Sequence, residues 1–293
     1  MSTLTNNSVQ VKESFIQKYP LAGFFLLAFG LTWIFMITDA LGSHHILPFR
    51  LPILLMIVMG YMPTLAAVIV TRVTKGKEGV RALFSKLLIA RVGFRWYAFA
   101  VFALAGMYIA SILIYNSIGA SPTLPILSPK TPPHSSLLEL VPQIALLFVI
   151  VGIVNGEELA WRGFALPRLQ AKYSALTSSL ILGVIWTMFH LPLFFTVTGS
   201  SQADWSFTSF LISTIAMTVL YTWLYNNTRG SVLMAYLLHA AANTWSQVFA
   251  IDHANQLVNW ILTGVIVLVA ILVLAQAGAQ NLSRTNERIQ EEA

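Results

Sequence analysis

Charged side chains of opposite sign follow directly on an apolar run in the middle of this chain. Glu157 and Glu158 are adjacent, and Arg162 stands four residues after Glu158. Residues four apart share a helix face, so Arg162 can pair with Glu158, whereas Glu157 is rotated by roughly 100° and faces elsewhere. Ionisable groups are costly inside a membrane and mark functional positions there. The spacing therefore predicts one neutralised carboxylate and one that is free for chemistry.

Two further apolar segments carry histidine and asparagine side chains that could complete a site. His190 follows Trp186 by four residues, and His239 and Asn243 are also four residues apart, with alanines between them. Each polar group, taken alone, could serve only as a hydrogen bond between neighbouring helices. Because Glu157 and these residues come from three separate apolar segments, we expect them to converge.

A carboxylate and two imidazoles around one cavity can hold and activate water. A buried glutamate can act as a general base, and His or Asn N–H groups can stabilise a developing oxyanion. The set Glu157, His190 and His239 could instead ligate a divalent metal such as zinc, with an open position for water. The sequence leaves both alternatives open. With no cysteine in the chain, a cysteine nucleophile and a thiolate metal site are excluded.

The composition places these residues in a membrane protein. Of the 293 residues, 57% are hydrophobic and only 10% are charged, and the mean hydropathy is +0.73. Soluble domains carry about 25% charged residues. The net charge of +6 does not indicate a nucleic-acid partner, because the lysines and arginines lie between the apolar runs, as the orientation rule for membrane proteins requires. The expected surroundings are membrane lipid.

The apolar runs predict an all-α polytopic protein with about eight transmembrane helices. A run of about 20 apolar residues is long enough to cross a bilayer. The predicted spans are 21–41, 52–71, 96–117, 138–160, 176–197, 207–225, 231–250 and 257–275. Alternate connecting segments, those that include both termini, hold 15 of the 17 basic residues. By the positive-inside rule, both termini are predicted to be cytoplasmic.

The same pattern gives the domain organisation. Residues 1–20 form a polar cytoplasmic N-terminus, residues 21–275 form the eight-helix transmembrane domain with the motif region 157–243, and residues 276–293 form a cytoplasmic tail. A polar tail of this kind is expected to be frayed. The site is expected in a water-filled chamber that opens toward the cytoplasmic half of the membrane.

Three motifs resemble those of a known family. They are Glu157-Glu158-x-x-x-Arg162, an aromatic residue four before a histidine (Trp186 to His190), and His239-x-x-x-Asn243. In this order and on separate helices, they resemble the motifs of the CAAX-protease and bacteriocin-processing family, intramembrane endopeptidases related to the Ras-converting enzyme. Trp186 departs from the pattern, which usually has phenylalanine there. Since the position supplies a ring, only the packing near His190 is expected to change.

The resemblance implies a role for each motif residue. Glu157 would activate the hydrolytic water, and His190 would orient that water or Glu157. His239 and Asn243 would polarise the scissile carbonyl and hold its oxyanion. Glu158 and Arg162 would form a supporting pair, in agreement with their helical spacing.

Family members cleave near the C-terminus of prenylated proteins, and bacterial relatives are linked to peptide processing and bacteriocin immunity. The resemblance thus implies a membrane-associated peptide or protein substrate, and the short loops favour a bacterial plasma membrane. Two other classes of function stay open. A proton-coupled transporter would use a similar Glu and His relay, and a non-catalytic immunity or scaffold protein would keep only the fold.

Overall fold

The chain folds into helices, as the hydrophobic pattern predicts. The structure is a computed structural model that describes residues 13–129, 131, 136–197, 202–285 and 287–291. The first twelve residues of the predicted N-terminal segment lie outside this range. The helices are α1 Phe15–Lys18, α2 Pro20–Ser43, α3 Ile53–Gly60, α4 Met62–Ser85, α5 Phe94–Ser117, α6 Leu137–Val154, α7 Leu166–Gln170, α8 Ala175–Phe189, α9 Phe207–Asn227, α10 Val232–Val248 and α11 Gln256–Ala277. Two 3-10 turns, Lys86–Leu88 and Leu191–Phe195, and a π-helix, Leu159–Ala165, complete the elements. The all-α fold class is confirmed.

The helices are those of a multi-pass membrane protein. Among the described residues, five are long and apolar enough to cross a membrane, and the number rises to seven if each of two bent helix pairs counts as one span. The predicted span 231–250 corresponds to α10, which has only 17 residues and is buried along much of its length. The count of eight and the cytoplasmic termini therefore stay predictions.

Polar side chains fix the start of the helices that carry the candidate site. Ser174 caps α8, Ser206 caps α9, Ser231 caps α10 and Asn255 caps α11, each by accepting a backbone N–H from the first turn. A cap of this kind stabilises a helix by about 1 kcal/mol. The first residue of each of these four helices is therefore fixed by the capping side chain next to it in the sequence.

The fourth predicted span is broken where its charged motif begins. α6 ends at Val154, and the chain bends by 56° before it continues through the π-helix Leu159–Ala165 into α7. The N–H of Leu166 donates to the carbonyl of Trp161, five residues back, which is the wider π spacing. Trp161 and Phe164 are fully buried, and both pack against Phe24 of α2. The break places Glu157 at a bend instead of on a continuous helix.

A second break, between α3 and α4, is hydrogen-bonded to the first. α3 and α4 meet at Tyr61, whose hydroxyl donates to the carbonyl of Ile153 at the end of α6. The hydroxyl of Thr64 donates to the carbonyl of Gly156 at 2.5 Å. Position 156 requires glycine, because an added Cβ would run into the ring of Tyr61. These contacts thus join the two bends to each other just before Glu157.

The basic segments gather at one end of the bundle, which we call the basic end. Arg229, after α9, donates to the carbonyl of Arg91, before α5. The carboxylate of Glu291 bridges Lys75 of α4, Lys86 of the following turn and Arg168 of α7, with N–O distances of 2.7, 3.4 and 3.0 Å. The positive-inside rule assigns the basic end to the cytoplasm.

The described part of the tail is packed against the basic end, contrary to the expectation that it is frayed. Leu282 is fully buried, and the side chain of Gln170 donates to the carbonyl of Ile289. Burial disfavours the charged form of Glu291, but Arg168, Lys75 and Lys86 outweigh this and hold its pKa below the ordinary value. The expectation rested on polarity alone, whereas several tail residues have specific partners: Arg288 donates to the carbonyl of Gln170, and Glu291 pairs with Arg168.

Candidate active site

Glu157 lies at the bend after α6, with one carboxylate oxygen held and the other directed at a histidine. Its Oε2 accepts hydrogen bonds from the indole N–H groups of Trp161 at 2.8 Å and Trp186 at 2.9 Å. Its Oε1 lies 4.0 Å from Nε2 of His190. Bonds to a charged acceptor are among the stronger ones in proteins. The indoles therefore fix the carboxylate and leave Oε1 to react.

Trp186 does more than the resemblance implies for its position. Its ring packs edge-on against His190, as expected of an aromatic residue there. Its N–H, however, donates to Glu157, which a phenylalanine could not do. The prediction that this residue changes only packing was wrong. The π-helix supplies the second donor, Trp161, which the sequence reasoning missed.

Glu158, Arg162 and His239 form a buried charged cluster beside Glu157. Glu158 and Arg162 have no exposed surface, and Glu158 Oε1 accepts from Arg162 Nη1 at 2.9 Å and contacts His239 Nδ1 at 2.7 Å. The guanidinium also stacks on the rings of Tyr221, 3.8 Å away, and Trp186, 4.4 Å away. The pairing that the four-residue spacing predicts is thus present. It holds even though a π-helix, not an α-helix, carries Arg162.

The hydrogen bonds of the two histidines fix which ring nitrogen of each is free. Nδ1 of His190 donates to the carbonyl of Trp186 at 2.8 Å, because a carbonyl can only accept. Nδ1 of His239 donates to the Glu158 carboxylate in the same way. In the tautomer that these bonds require, Nε2 of each ring carries no hydrogen and can accept a hydrogen bond. Both side chains line the same cavity as Glu157.

Asn243 lies on the same face of α10 as His239 and also lines this cavity. Its backbone carbonyl accepts from the side chains of Ser246 and Gln247. Its side-chain amide makes no hydrogen bond to the part of the chain that the structure describes. The amide is therefore available as a donor to a group in the cavity.

The cavity has a volume of about 440 Å³ and extends away from the basic end. Glu157, Tyr221 and His239 lie at its end toward the basic segments, where fully buried side chains such as Trp161 and Phe164 close the bundle. From there the lining runs to Ser206 and His253, in the connections that precede α9 and α11. The chamber was expected on the cytoplasmic side. In the structure it extends into the half of the bundle away from the basic end, because the π-helix and the aromatic residues around it fill the basic end.

The alternative of a metal centre depends on how close the possible ligands lie to one another. Within the described residues, no three His, Asp or Glu side chains lie close enough together to hold one metal ion. Glu157, His190 and His239 line one cavity, but Oε2 of Glu157 is already bonded to two indoles and Nδ1 of His239 to Glu158. The atoms left free are Oε1 of Glu157 and Nε2 of each histidine, which can take part in acid–base chemistry.

The segment that contains the motifs is similar to known proteins. Residues 138–245 match the family model for type II CAAX prenyl endopeptidases that are Rce1-like. Over 137 residues the chain is 31% identical to a protein of Methanococcus maripaludis named CAAX prenyl protease 2. The aligned part covers 45% of this chain and 49% of that protein, so the match spans about half the length of this curated relative.

Proposed function

We propose that the chain is an intramembrane endopeptidase in which Glu157 activates water. Residues 138–245 match the model of the Rce1-like CAAX prenyl endopeptidases, which supports this proposal. One observation supports this most directly. The carboxylate of Glu157 is held at Oε2 by two indoles and presents Oε1 across 4.0 Å to His190 Nε2, at the wall of a cavity. A gap of that length between two acceptors suits a water molecule that donates one hydrogen to each.

The proposed reaction uses that water as the nucleophile. Glu157 Oε1 takes one proton while the water oxygen attacks the carbonyl carbon of the scissile peptide bond. The second hydrogen stays on the attacking oxygen and donates a hydrogen bond to His190 Nε2. The carbonyl oxygen becomes an oxyanion, which the amide of Asn243 stabilises. When the tetrahedral intermediate collapses, the C–N bond breaks, and the proton on Glu157 passes to the leaving amine.

The role of His239 in this reaction depends on which of its ring nitrogens carries a hydrogen. Its Nδ1–H is bonded to Glu158, so Nε2 can donate to the oxyanion only when the ring carries a second proton. Arg162 donates to the carboxylate of Glu158 and so holds it in place against His239. Glu158 and Arg162 are thus a supporting pair in the proposed site.

The substrate that we propose is a membrane-associated peptide or protein. The relative from Methanococcus maripaludis is named for action on CAAX prenyl substrates. Prenyl-like and bacteriocin-type peptides are the corresponding candidates for this chain, in the plasma membrane of a bacterium. The cavity is large enough for a few residues of extended chain and lies within the membrane-spanning helices.

Cleavage of a membrane-anchored peptide library by the detergent-purified protein tests this proposal. Glu157→Gln keeps the shape of the side chain but removes the base, and we expect turnover to fall by at least about 100-fold. Glu78→Gln is the matched control, because Glu78 is a solvent-exposed glutamate of α4 whose side chain is 79% exposed. Each protein is assayed with and without a chelator. Equal turnover by wild type and Glu157→Gln would refute the proposed role of Glu157.

Two outcomes would point to the other classes of function. Solute transport that survives Asn243→Ala but is lost in Glu157→Gln would indicate a proton-coupled transporter. A biological phenotype that is unchanged in Glu157→Gln would indicate a non-catalytic immunity or scaffold protein.

A further inference from the structure

The π-helix Leu159–Ala165 is followed by a proline, which changes how its last carbonyls can be bonded. In regular α-helical spacing the carbonyl of Gly163 accepts from the N–H of position 167, four residues on. That position is Pro167, which has no N–H to donate. Gly163 is buried, and a buried carbonyl without a donor is costly. A donor from another part of the chain is therefore favoured at this point.

Two cationic side chains donate to carbonyls at this end of the π-helix. Lys86, in the 3-10 turn after α4, donates from Nζ to the carbonyl of Gly163 at 2.7 Å. Arg168 donates from Nη1 to the carbonyl of Phe164 at 2.9 Å, and its guanidinium also stacks on the Phe164 ring, 3.7 Å away. Hydrogen bonds from charged donors are stronger than those between neutral groups. The two side chains thus hold two neighbouring peptide units from outside the helix.

Glu291, in the C-terminal tail, bonds to both of these donors. Its carboxylate accepts from both terminal nitrogens of Arg168, at 3.0 and 3.1 Å, and lies 3.4 Å from Nζ of Lys86. The backbone N–H of Glu291 donates to the carbonyl of Pro167 at 3.2 Å. Arg168 is almost fully buried, so its fork is fixed in this arrangement. One carboxylate therefore links the two cations that hold the π-helix to each other.

The two carbonyls that accept from these cations lie inside the turn that begins at Trp161. This turn closes with a hydrogen bond from the N–H of Leu166 to the carbonyl of Trp161. A π turn is rare and gives way to the ordinary α spacing unless other contacts hold it. The indole of the same tryptophan donates to Oε2 of Glu157. The contacts that hold the two carbonyls therefore also set the position of the indole.

We propose that Lys86, Arg168 and Glu291 are positioning residues that hold the π turn and thereby fix the indole of Trp161 against the carboxylate of Glu157. None of the three lines the described cavity, so they act without touching the substrate. Their effect on turnover rests on the proposed function. Their effect on the π turn does not.

Hydrogen exchange in detergent-purified protein tests the structural part. Lys86→Met removes the charged donor but keeps an unbranched side chain. Lys77→Met is the matched control, because it makes the same substitution at a solvent-exposed lysine of α4. We expect the amides of residues 159–166 to exchange at least about tenfold faster in Lys86→Met and at the wild-type rate in Lys77→Met. The amides of α5 should exchange at the wild-type rate in both proteins.

Glu291→Gln is the second variant, since it changes a residue outside the helices. It should raise the exchange of residues 159–166 by at least about threefold, again without a change in α5. Unchanged exchange of residues 159–166 in Lys86→Met and Glu291→Gln would overturn the proposal. So would an equal rise in α5, because the substitutions would then loosen the whole bundle instead of the π turn.

Turnover of a cleaved membrane-anchored peptide tests the connection to Glu157. We expect Lys86→Met to lower kcat by about tenfold and to leave KM within about threefold of wild type. In a Trp161→Phe background the indole donor is already absent, so Lys86→Met should lower kcat by less than about threefold. The same tenfold loss in both backgrounds would show that Lys86 does not act through Trp161, and this part would be overturned. If wild type cleaves no peptide, the proposed function fails, and hydrogen exchange still decides whether the three residues hold the π turn.

Discussion

Charge removal within the Glu158–Arg162–His239 cluster should destabilise the protein strongly. Glu158 and Arg162 are fully buried and 2.9 Å apart, so Glu158→Gln leaves a buried guanidinium without its counter-charge. Breaking a buried ion pair by removing one partner costs about 3–5 kcal/mol. The stacking of Arg162 on Tyr221 is the same in both proteins and does not offset the loss. At roughly 2–3 °C per kcal/mol for a chain of this size, we expect a fall of about 10 °C in the unfolding midpoint.

The double variant Glu158→Gln/Arg162→Met separates charge from packing. It removes both charges, while the glutamine can still accept from His239 Nδ1. Replacing both members of a buried pair is often close to neutral. We therefore expect the double variant to unfold at a higher temperature than Glu158→Gln alone, with a coupling between the two positions of about 2–4 kcal/mol.

Thermal unfolding of purified protein in one detergent, at one scan rate, measures these differences without any substrate. Wild type, both single variants and the double variant form the complete cycle. A midpoint for Glu158→Gln within about 2 °C of wild type would refute the reasoning. So would a double variant whose loss equals the sum of the two single losses, because the charges would then act independently.

Contacts elsewhere in the structure support three further predictions. Trp186→Phe keeps a ring but removes one N–H donor to Glu157, so turnover should fall about tenfold with little change in KM, and unchanged turnover would contradict this role. Glu291→Gln should cost about 2 kcal/mol at pH 7 and less at pH 3. The pKa of Glu291 is lowered, so its stabilisation is present above the ordinary value and lost as the pH falls through the lowered one, and unfolding at both pH values measures the difference. Gly156→Ala should lower stability by about 1–3 kcal/mol because its Cβ meets the ring of Tyr61, whereas Gly264→Ala, where an added Cβ has open space, should be close to neutral in the same thermal assay.

Much of the site can be predicted from spacing and composition. The apolar runs predict the all-helical membrane fold, and the four-residue spacing of Glu158 and Arg162 predicts their ion pair. Residues 157, 190, 239 and 243 were expected to converge, and the structure places all four on one cavity. These features are local or depend on hydrophobic periodicity, which a sequence displays directly. Their catalytic roles stay a proposal.

The features that the sequence did not reveal depend on contacts between distant residues. No local pattern shows that the indole of Trp186 reaches Glu157, 29 residues away, or that Glu291 reaches Lys75, Lys86 and Arg168. The position of the cavity along the bundle is another such feature. It depends on which end of the bundle is filled by large side chains around the π-helix, a matter of three-dimensional packing that hydropathy does not measure.

The π-helix makes the motif segment sensitive to its length. Leu159–Ala165 accommodates the wider turn while still bringing Trp161 to Glu157 and Arg162 to Glu158. Deletion of one residue between Glu158 and Trp161 would let the segment tighten into an α-helix and would shorten the four-residue spacing of both pairs to three residues. Substitutions at a single position remove one contact at a time. A change in chain length of a single residue would misalign both carboxylates with their partners at once.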